Sequence, residues 1–215
     1  MVKIVSFILV LYSLNSVSLA DVNDRQLKVY EAKLAKEINR YDDSVSAIVS
    51  VSKKNVLSIE EITVLKSSYT MAVEGEITNV EREVQIAIKE YLRKPADYEG
   101  KVKIFTLKGE SYQYMSEVNA KAEKEYKAYA EAAFTEAYNI AKEKLSPANT
   151  ARLELVVSYT SFEYNTMKNI DGATKMAYDE YRAAITEIDS SSDNEESARL
   201  IAILKKNLDL WTQGE

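Results

Sequence analysis

Apolar residues recur every three or four positions along almost the whole chain, which is the spacing that places them on one face of an α-helix. Only 5 glycines and 2 prolines interrupt the 215 residues, so long helices with short connections are expected. The pattern predicts an all-α protein, an antiparallel array of eight to nine helices. Because no linker divides residues 21–215, we expect them to form a single domain.

Local signals place the helix boundaries in the first half of the chain. Residues 25–39 carry one apolar stripe, and a second short helix is expected after them. Ser58 and Glu61 form a capping box, in which each side chain bonds the backbone N–H of the other residue, so a helix begins there. The following stripe runs on to Leu92 and is broken only at Gly75. The sequence therefore allows either one long helix or two helices hinged at Gly75.

The second half is divided by a few turn signals. Pro95 and Gly100 mark a loop, Pro147 is expected near the first turn of a helix, and residues 169–172 are expected to form a turn. The helices expected between these signals cover 101–119, 121–145 and 150–168, and two later stripes run from Ala173 to Ile188 and from Leu200 to Trp211. The helix at 150–168 is apolar on much of its surface, so it should be the most buried.

The first twenty residues combine the features of a cleaved secretory signal. Lys3 is basic, an apolar run extends from Ile4 to Tyr12, and small residues precede the end at Ala20. A membrane anchor is the competing interpretation, but the run is much shorter than the roughly 20 residues that span a bilayer. We therefore expect cleavage after Ala20, a mature chain of residues 21–215 and an extracellular location.

Charge and composition exclude several functions. The chain has 28 basic and 34 acidic residues, a formal net charge of −6, so nucleic acid and anionic membranes should repel it. It has no histidine and no cysteine, which removes the usual zinc ligands, a disulfide framework and the Ser-His and Cys-His nucleophiles. We expect no metal, no cofactor and no enzymatic activity. The 15 tyrosines, including Tyr126, Tyr129 and Tyr138, are expected mainly to pack in the core.

Several stretches of the chain, in this order, match one known family. They are Ala32-Lys-Leu-Ala35, Arg40-Tyr-Asp-Asp43, Leu57-Ser-Ile-Glu-Glu61, FTLKGESYQY, ATKMAYDEYRAAITEID and Asn207-Leu-Asp-Leu-Trp-Thr212. Together they resemble 14-3-3 proteins over most of the mature chain. The resemblance implies a nine-helix, usually dimeric adaptor that holds a phosphoserine or phosphothreonine peptide in an amphipathic groove. In that groove a lysine, two arginines and a tyrosine bind the phosphate.

The positions that match the three phosphate-binding cations carry other residues. The lysine aligns with Thr70, one arginine falls near Ile77 and the other aligns with Gln113, whereas the neighbouring tyrosine is kept as Tyr114. Ser158 stands where the family has one of its two asparagines that bond the peptide backbone. A charged hydrogen bond contributes about 1.5–3 kcal/mol. The three losses therefore predict binding that does not depend on phosphate.

The resemblance also implies which residues line the remaining groove and which form the dimer contact. The expected groove residues are Lys108, Tyr114, Val157, Leu200, Ile203, Asn207 and Trp211, with Lys108 as the remaining cation. The first-helix side of the dimer contact would be Leu34, Ala35, Arg40 and Asp43. Between Thr70 and Phe105, however, the chain is several helical turns shorter than the third and fourth helices of the family, so dimerisation is an open question.

Two functional hypotheses follow. The first is a secreted 14-3-3-like adaptor whose partner is an unphosphorylated protein or peptide. The alternative is an extracellular amphipathic helical carrier of lipid or another apolar ligand, which explains secretion and helicity without a peptide groove. A shortage of lysine and arginine beside the apolar stripes argues against the carrier.

Overall fold

A computed structural model describes residues 24–74, 80–93, 97–187 and 195–212. These residues form nine α-helices and no strand, which confirms the predicted all-helical array. The helices are α1 Asp24–Glu37, α2 Tyr41–Lys54, α3 Ile59–Glu74, α4 Val80–Leu92, α5 Tyr98–Val118, α6 Glu123–Lys144, α7 Thr150–Phe162, α8 Ile170–Glu187 and α9 Glu195–Thr212. A short π-helix, Glu163–Met167, directly follows α7. The expected signal segment, Gly75 and Ile77 lie outside the described residues.

The helices form two units: α1 to α4 make the N-terminal unit and α5 to α9 make the C-terminal unit. In the N-terminal unit α2 packs against α1, α3 and α4. The apolar face of α2 is buried there through Val45, Ile48 and Val49. The apolar stripe of the first helix was expected to extend over residues 25–39, but α1 ends at Glu37 and Ile38 is exposed.

The predicted capping box at the start of α3 is confirmed. The Ser58 N–H donates to Glu61 Oε2 at 2.7 Å, and the Glu61 N–H donates to Ser58 Oγ at 3.3 Å. The same carboxylate accepts two hydrogen bonds from Arg25 of α1, at 2.9 and 2.7 Å, and Arg25 also donates to the carbonyl of Val56. The cap thus joins α1 to α3, a contact that local sequence signals do not reveal.

Helix α7 is the centre of the C-terminal unit, because it contacts α5, α6, α8 and α9. Most of its surface is buried, as its apolar sequence predicts. Phe134 of α6 stacks on Tyr159 of α7 with ring centroids 5.3 Å apart. Gly109 of α5 faces the Phe134 ring, and a Cβ atom at Gly109 would lie 2.7 Å from Phe134 Cε1. The close packing of α5 on α6 therefore requires glycine at this position.

The predicted role of Pro147 is wrong, because α7 starts at Thr150 and Pro147 lies in the preceding turn. Asn149 caps the helix instead. Its Oδ1 accepts from the N–H groups of Ala151 and Arg152 at 2.9 and 3.3 Å. An Asn side chain that satisfies two free N–H groups outweighs the preference of proline for the first turn.

Two glycines that we expected in a loop or a turn lie in helices. Gly100 belongs to the first turn of α5, where its N–H donates to the capping carboxylate of Asp97 at 2.6 Å. Gly172 belongs to α8, and its N–H donates to Asn169 Oδ1 at 3.2 Å. A Cβ atom at Gly172 would lie 2.4 Å from the Asn169 side chain. Glycine therefore makes room for the folded-back cap here and does not end the helix.

A buried ion pair joins three elements of the C-terminal unit. Arg152 of α7 and Glu180 of α8 are 6% and 4% exposed, and the guanidinium donates to both carboxylate oxygens at 2.9 and 3.0 Å. Arg152 also donates to the carbonyl of Leu145 at the end of α6. The Tyr138 hydroxyl donates to Glu180 at 2.9 Å, and burial together with this carboxylate raises the pKa of Tyr138. Both charged groups of the pair are thus hydrogen-bonded, as buried charges require.

We expect Arg152→Met to lower the free energy of unfolding by about 3–5 kcal/mol, because it leaves the Glu180 carboxylate buried without its cation. Adding Glu180→Gln should recover part of this loss by removing the buried charge. Urea unfolding followed by circular dichroism measures both effects.

The matched control is Lys175→Met on α8, which removes a cation from an exposed pair with Asp179. It should cost no more than about 0.5 kcal/mol. Equal losses for Arg152→Met and Lys175→Met would contradict the role of the buried pair.

Glu61 gives the N-terminal unit a defined pH dependence. Burial pushes the pKa of Glu61 upward, but the hydrogen bonds from Arg25 and Ser58 outweigh burial and hold the pKa below its ordinary 4.5. The contribution to stability is therefore complete above the unfolded-state pKa and is lost as the pH falls through the lower folded-state pKa. Glu61→Gln should cost about 1–3 kcal/mol at neutral pH. In urea unfolding, the difference from wild type should shrink below about pH 4.

Glu60→Gln is the control, since Glu60 is the neighbouring residue and its pair with Lys33 is exposed. Its effect should stay below about 1 kcal/mol. The interpretation of Glu61 fails if its substitution costs no more than that of Glu60, or if the cost is undiminished in acid.

Candidate functional site

Helices α5, α7 and α9 lie side by side, because α7 contacts both of the others. We call these helices the three-helix row. All seven residues that the sequence predicts for the groove lie on it: Lys108 and Tyr114 on α5, Val157 on α7, and Leu200, Ile203, Asn207 and Trp211 on α9. The structure thus brings them to neighbouring helices of one unit. Thr70 lies on α3 of the N-terminal unit.

Polar side chains bridge α5 to α7 and to the π-helix that follows it. The Lys103 ammonium lies 3.0 Å from Glu154 Oε2, and the Ser158 hydroxyl donates to Glu110 Oε1 at 2.6 Å. The predicted site residues do not include Lys103, Glu110 or Glu154. The signal was available in the seven-residue spacing of Lys103, Glu110 and Glu117, which places three charges on one face of α5.

The uncharged side chain of Gln113 lies between two hydrogen-bond acceptors. Its amide nitrogen lies 3.3 Å from Thr166 Oγ1 and 3.3 Å from Glu117 Oε1. A glutamine side chain offers two amide donors and no charge. Of the two remaining predicted phosphate positions, Ile77 lies outside the described residues, and the exposed Thr70 hydroxyl donates to the backbone carbonyl of Lys66 at 3.0 Å.

Lys108, the remaining cation of the predicted groove, contacts aromatic rings. Its ammonium lies 5.8 Å from the centre of the Phe105 ring and 6.0 Å from that of Tyr112. Tyr112 in turn packs against Tyr126 and Tyr129 of α6, with centroids 6.2 and 5.4 Å apart. Tyr129 is exposed and donates to Glu125, so the expectation that it packs in the core is wrong.

The predicted groove residues on α9 differ in how much of each side chain is buried. Leu200 is 4% exposed and lies in a core cluster with Leu153, against which the half-buried Val157 also packs. Ile203 and Asn207 are half-buried.

Trp211 is half-buried at the end of α9. It stacks on Tyr164 of the π-helix, with centroids 4.5 Å apart and 9° between the ring planes. The indole thus lies at the end of the three-helix row, next to the π-helix.

The residues predicted for the dimer contact divide into two kinds. Leu34 and Ala35 are 8% and 4% exposed, so both are already buried within the chain. Arg40 and Asp43 form an ion pair that is partly exposed. Of the four residues, only the charged pair is therefore available to a partner.

Polar, aromatic and aliphatic side chains, most of them half-buried, lie on neighbouring helices here, an arrangement that suits a helical protein that binds other proteins. The family model described as 14-3-3 protein matches residues 65–212. The chain belongs to the 14-3-3 family. This membership supports protein partners, dimerisation in general and a protein-binding adaptor role, and it supports the expectation that the chain is not an enzyme.

Curated relatives match over most of the chain. It is 28% identical to 14-3-3 protein eta of Homo sapiens over 237 residues, which cover 90% of the chain and 96% of the relative. It is 28% identical over 222 residues to 14-3-3-like protein 1 of Caenorhabditis elegans, covering 86% and 90%. It is 27% identical over 236 residues to 14-3-3 protein 9 of Solanum lycopersicum, covering 90% of each.

The alignment with the human relative is longer than the aligned part of this chain, so that relative contains residues without a counterpart here. We predicted that the residues of the third and fourth helices are the ones shortened. In this chain α3 has 16 residues and α4 has 13.

Among the helices of the described residues, none is both long enough and apolar enough to cross a membrane.

The contact between Tyr164 and Trp211 can be tested directly, because Trp211 is the only tryptophan of the chain. Tyr164→Ala should shift the fluorescence maximum to longer wavelength, since it removes the ring that covers one face of the indole. Tyr129→Ala, which removes an exposed tyrosine from the other aromatic cluster, should leave the spectrum unchanged. Identical spectra for wild type and Tyr164→Ala would refute the stacking.

Proposed function

We propose that this protein is a secreted adaptor that binds an unphosphorylated protein or peptide segment along the three-helix row. The observation that carries the proposal is the environment of Gln113, whose neutral amide lies within 3.3 Å of a carboxylate oxygen of Glu117. Residues 1–20, with the composition of a secretory signal, support the extracellular location.

The charges of the row disfavour a phosphate group. A phosphate carries about −1.5 to −2 at neutral pH. Near Gln113 it would meet the carboxylates of Glu110 and Glu117. Two like charges about 4 Å apart repel by about 1 kcal/mol in bulk water and about 4 kcal/mol at the effective dielectric of a protein surface. The nearby cations are engaged: Lys103 pairs with Glu154, and Lys108 packs over two aromatic rings. The usual attraction for a phosphopeptide is therefore missing.

The row retains groups that suit an extended peptide without phosphate. Asn207 is half-buried and has an amide that can both donate to and accept from a peptide backbone. The half-buried Val157 and Ile203 offer apolar surface on adjacent helices. Tyr114 adds a ring and a hydroxyl, a combination common at protein interfaces.

The alternative, a carrier of lipid or another apolar ligand, is favoured by one observation. Four large apolar side chains on α8 and α9 are exposed: Ile170, Tyr178, Ile185 and Leu210. Native mass spectrometry of the protein from its source distinguishes the two functions, because a carrier retains lipid and an adaptor retains a protein partner.

The adaptor proposal predicts that a phosphoserine does not strengthen peptide binding. In matched pairs, the two peptides should bind equally weakly, or the unphosphorylated peptide should bind more tightly. Fluorescence anisotropy with labelled peptide pairs measures the two affinities. A micromolar affinity that depends on the phosphate would overturn the proposal.

Three variants locate the surface that binds the partner. Tyr114→Ala, or Asn207→Ala, should reduce capture of the partner from extracellular fluid. Tyr178→Ala makes the same tyrosine change on α8, outside the three-helix row, and should capture as much as wild type. If all three variants capture the same partner equally, the interaction lies elsewhere on the protein.

A further inference from the structure

A cavity of about 810 Å³ lies between α8 and α9, and no residue of α5 or α7 lines it. Its lining consists of Ile170, Asp171, Thr174, Lys175, Tyr178, Tyr181, Lys205, Leu208, Asp209, Trp211 and Thr212. The volume is within the range of about 300–1,000 Å³ that is typical of small-molecule sites. The cavity is thus large enough for a small organic ligand and separate from the groove residues Tyr114 and Asn207.

The walls of the cavity are aromatic and firmly held. Tyr181, Leu208 and Trp211 belong to a core cluster around Leu204, so the inner wall is fixed by packing. The stack on Tyr164 further orients the Trp211 indole. At the mouth, by contrast, Tyr178 is 50% exposed. Water therefore contacts an aromatic surface that a ring-shaped ligand would cover with little rearrangement.

The charged residues that line the cavity differ in whether they form ion pairs. Both lysines are neutralised, Lys175 by Asp179 at 2.8 Å and Lys205 by Asp209 at 2.7 Å. Asp171 forms no ion pair with any of the residues that the structure describes. The cavity therefore presents one uncompensated carboxylate beside aromatic rings. Carboxylates attract cations by charge, and the faces of tyrosine and tryptophan rings attract them through their quadrupole.

We propose that this cavity binds a small organic cation, namely a protonated amine or quaternary ammonium group attached to an apolar ring. The cationic group lies towards Asp171, and the ring packs against Tyr178, Tyr181 and Trp211. An anionic ligand is disfavoured, because it would face Asp171 and would have to displace an aspartate from a lysine. A neutral ligand gains the ring contacts but not the attraction of the carboxylate.

The test uses three probes of one shape and different charge: phenethylamine, phenylethanol and phenylpropionate. Because Trp211 is the only tryptophan and lines the cavity, its fluorescence responds to binding here. Trp211 is also a groove residue, so the variants below assign the response to the cavity. We expect a saturable fluorescence change with the amine, weaker binding of the alcohol and the weakest binding of the acid. Isothermal titration calorimetry provides a second readout of the same order.

Three variants make the assignment specific. Asp171→Asn should weaken binding of the amine by roughly threefold and leave that of the alcohol unchanged, as expected for the loss of one exposed ion pair. Glu195→Gln, which removes an acidic first-turn residue of α9 outside the cavity lining, should change neither affinity. Tyr178→Ala should weaken both, because it removes a wall that the two ligands share.

Each other outcome overturns the proposal. Equal binding of the three probes means that the cavity recognises only apolar surface, and tightest binding of phenylpropionate means that its lysines dominate. No saturable response by fluorescence or calorimetry means that the cavity is not a site for these cations. Capture of a partner by the three-helix row is measured separately and depends on Tyr114 and Asn207, so either proposal can fail without the other.

Discussion

The buried ion pair between Arg152 and Glu180 is the constraint on which the C-terminal unit depends. Removing these charges from water is costly, so both must be fully hydrogen-bonded in the folded state. The four hydrogen bonds that achieve this involve α6, α7 and α8 together, through Leu145, Arg152, Glu180 and Tyr138. Few arrangements of three helices satisfy them at once. The pair therefore restricts the position and the rotation of α7 more strictly than apolar packing alone would.

The fixed rotation of α7 determines what the three-helix row presents. With Arg152 directed at α8, Glu154 and Ser158 pair with Lys103 and Glu110 of α5. The side chains that bond α5 and α7 to each other are thus the ones that define the charge of the row. Changes of a single side chain at such positions alter binding without altering the helices, because the packing lies on the other faces.

The sequence predicts most of the helices because their signals are local. Apolar spacing and the Ser58 capping box depend on residues within a few turns, and both hold in the structure. The misplaced boundaries at Gly100 and Gly172 have one cause, which is that an Asp or Asn cap three residues earlier outweighs the turn preference of glycine. The groove residues came from the family resemblance and not from the pattern itself. Pairs such as Arg152 with Glu180 are 28 residues apart, so no local pattern reveals them.

The two proposed sites lie on different faces of α9, because successive residues on a helix point about 100° apart. Asn207 belongs to the face that we assign to the three-helix row, whereas Leu208 and Asp209 line the cavity against α8. Trp211 lies where the two surfaces meet, since it lines the cavity and stacks on the π-helix that follows α7. A ligand that presses on the indole from the α8 side would therefore act on Tyr164 and on the neighbouring Thr166, which contacts Gln113. The stack is thus the physical link through which occupancy of the cavity would reach the row.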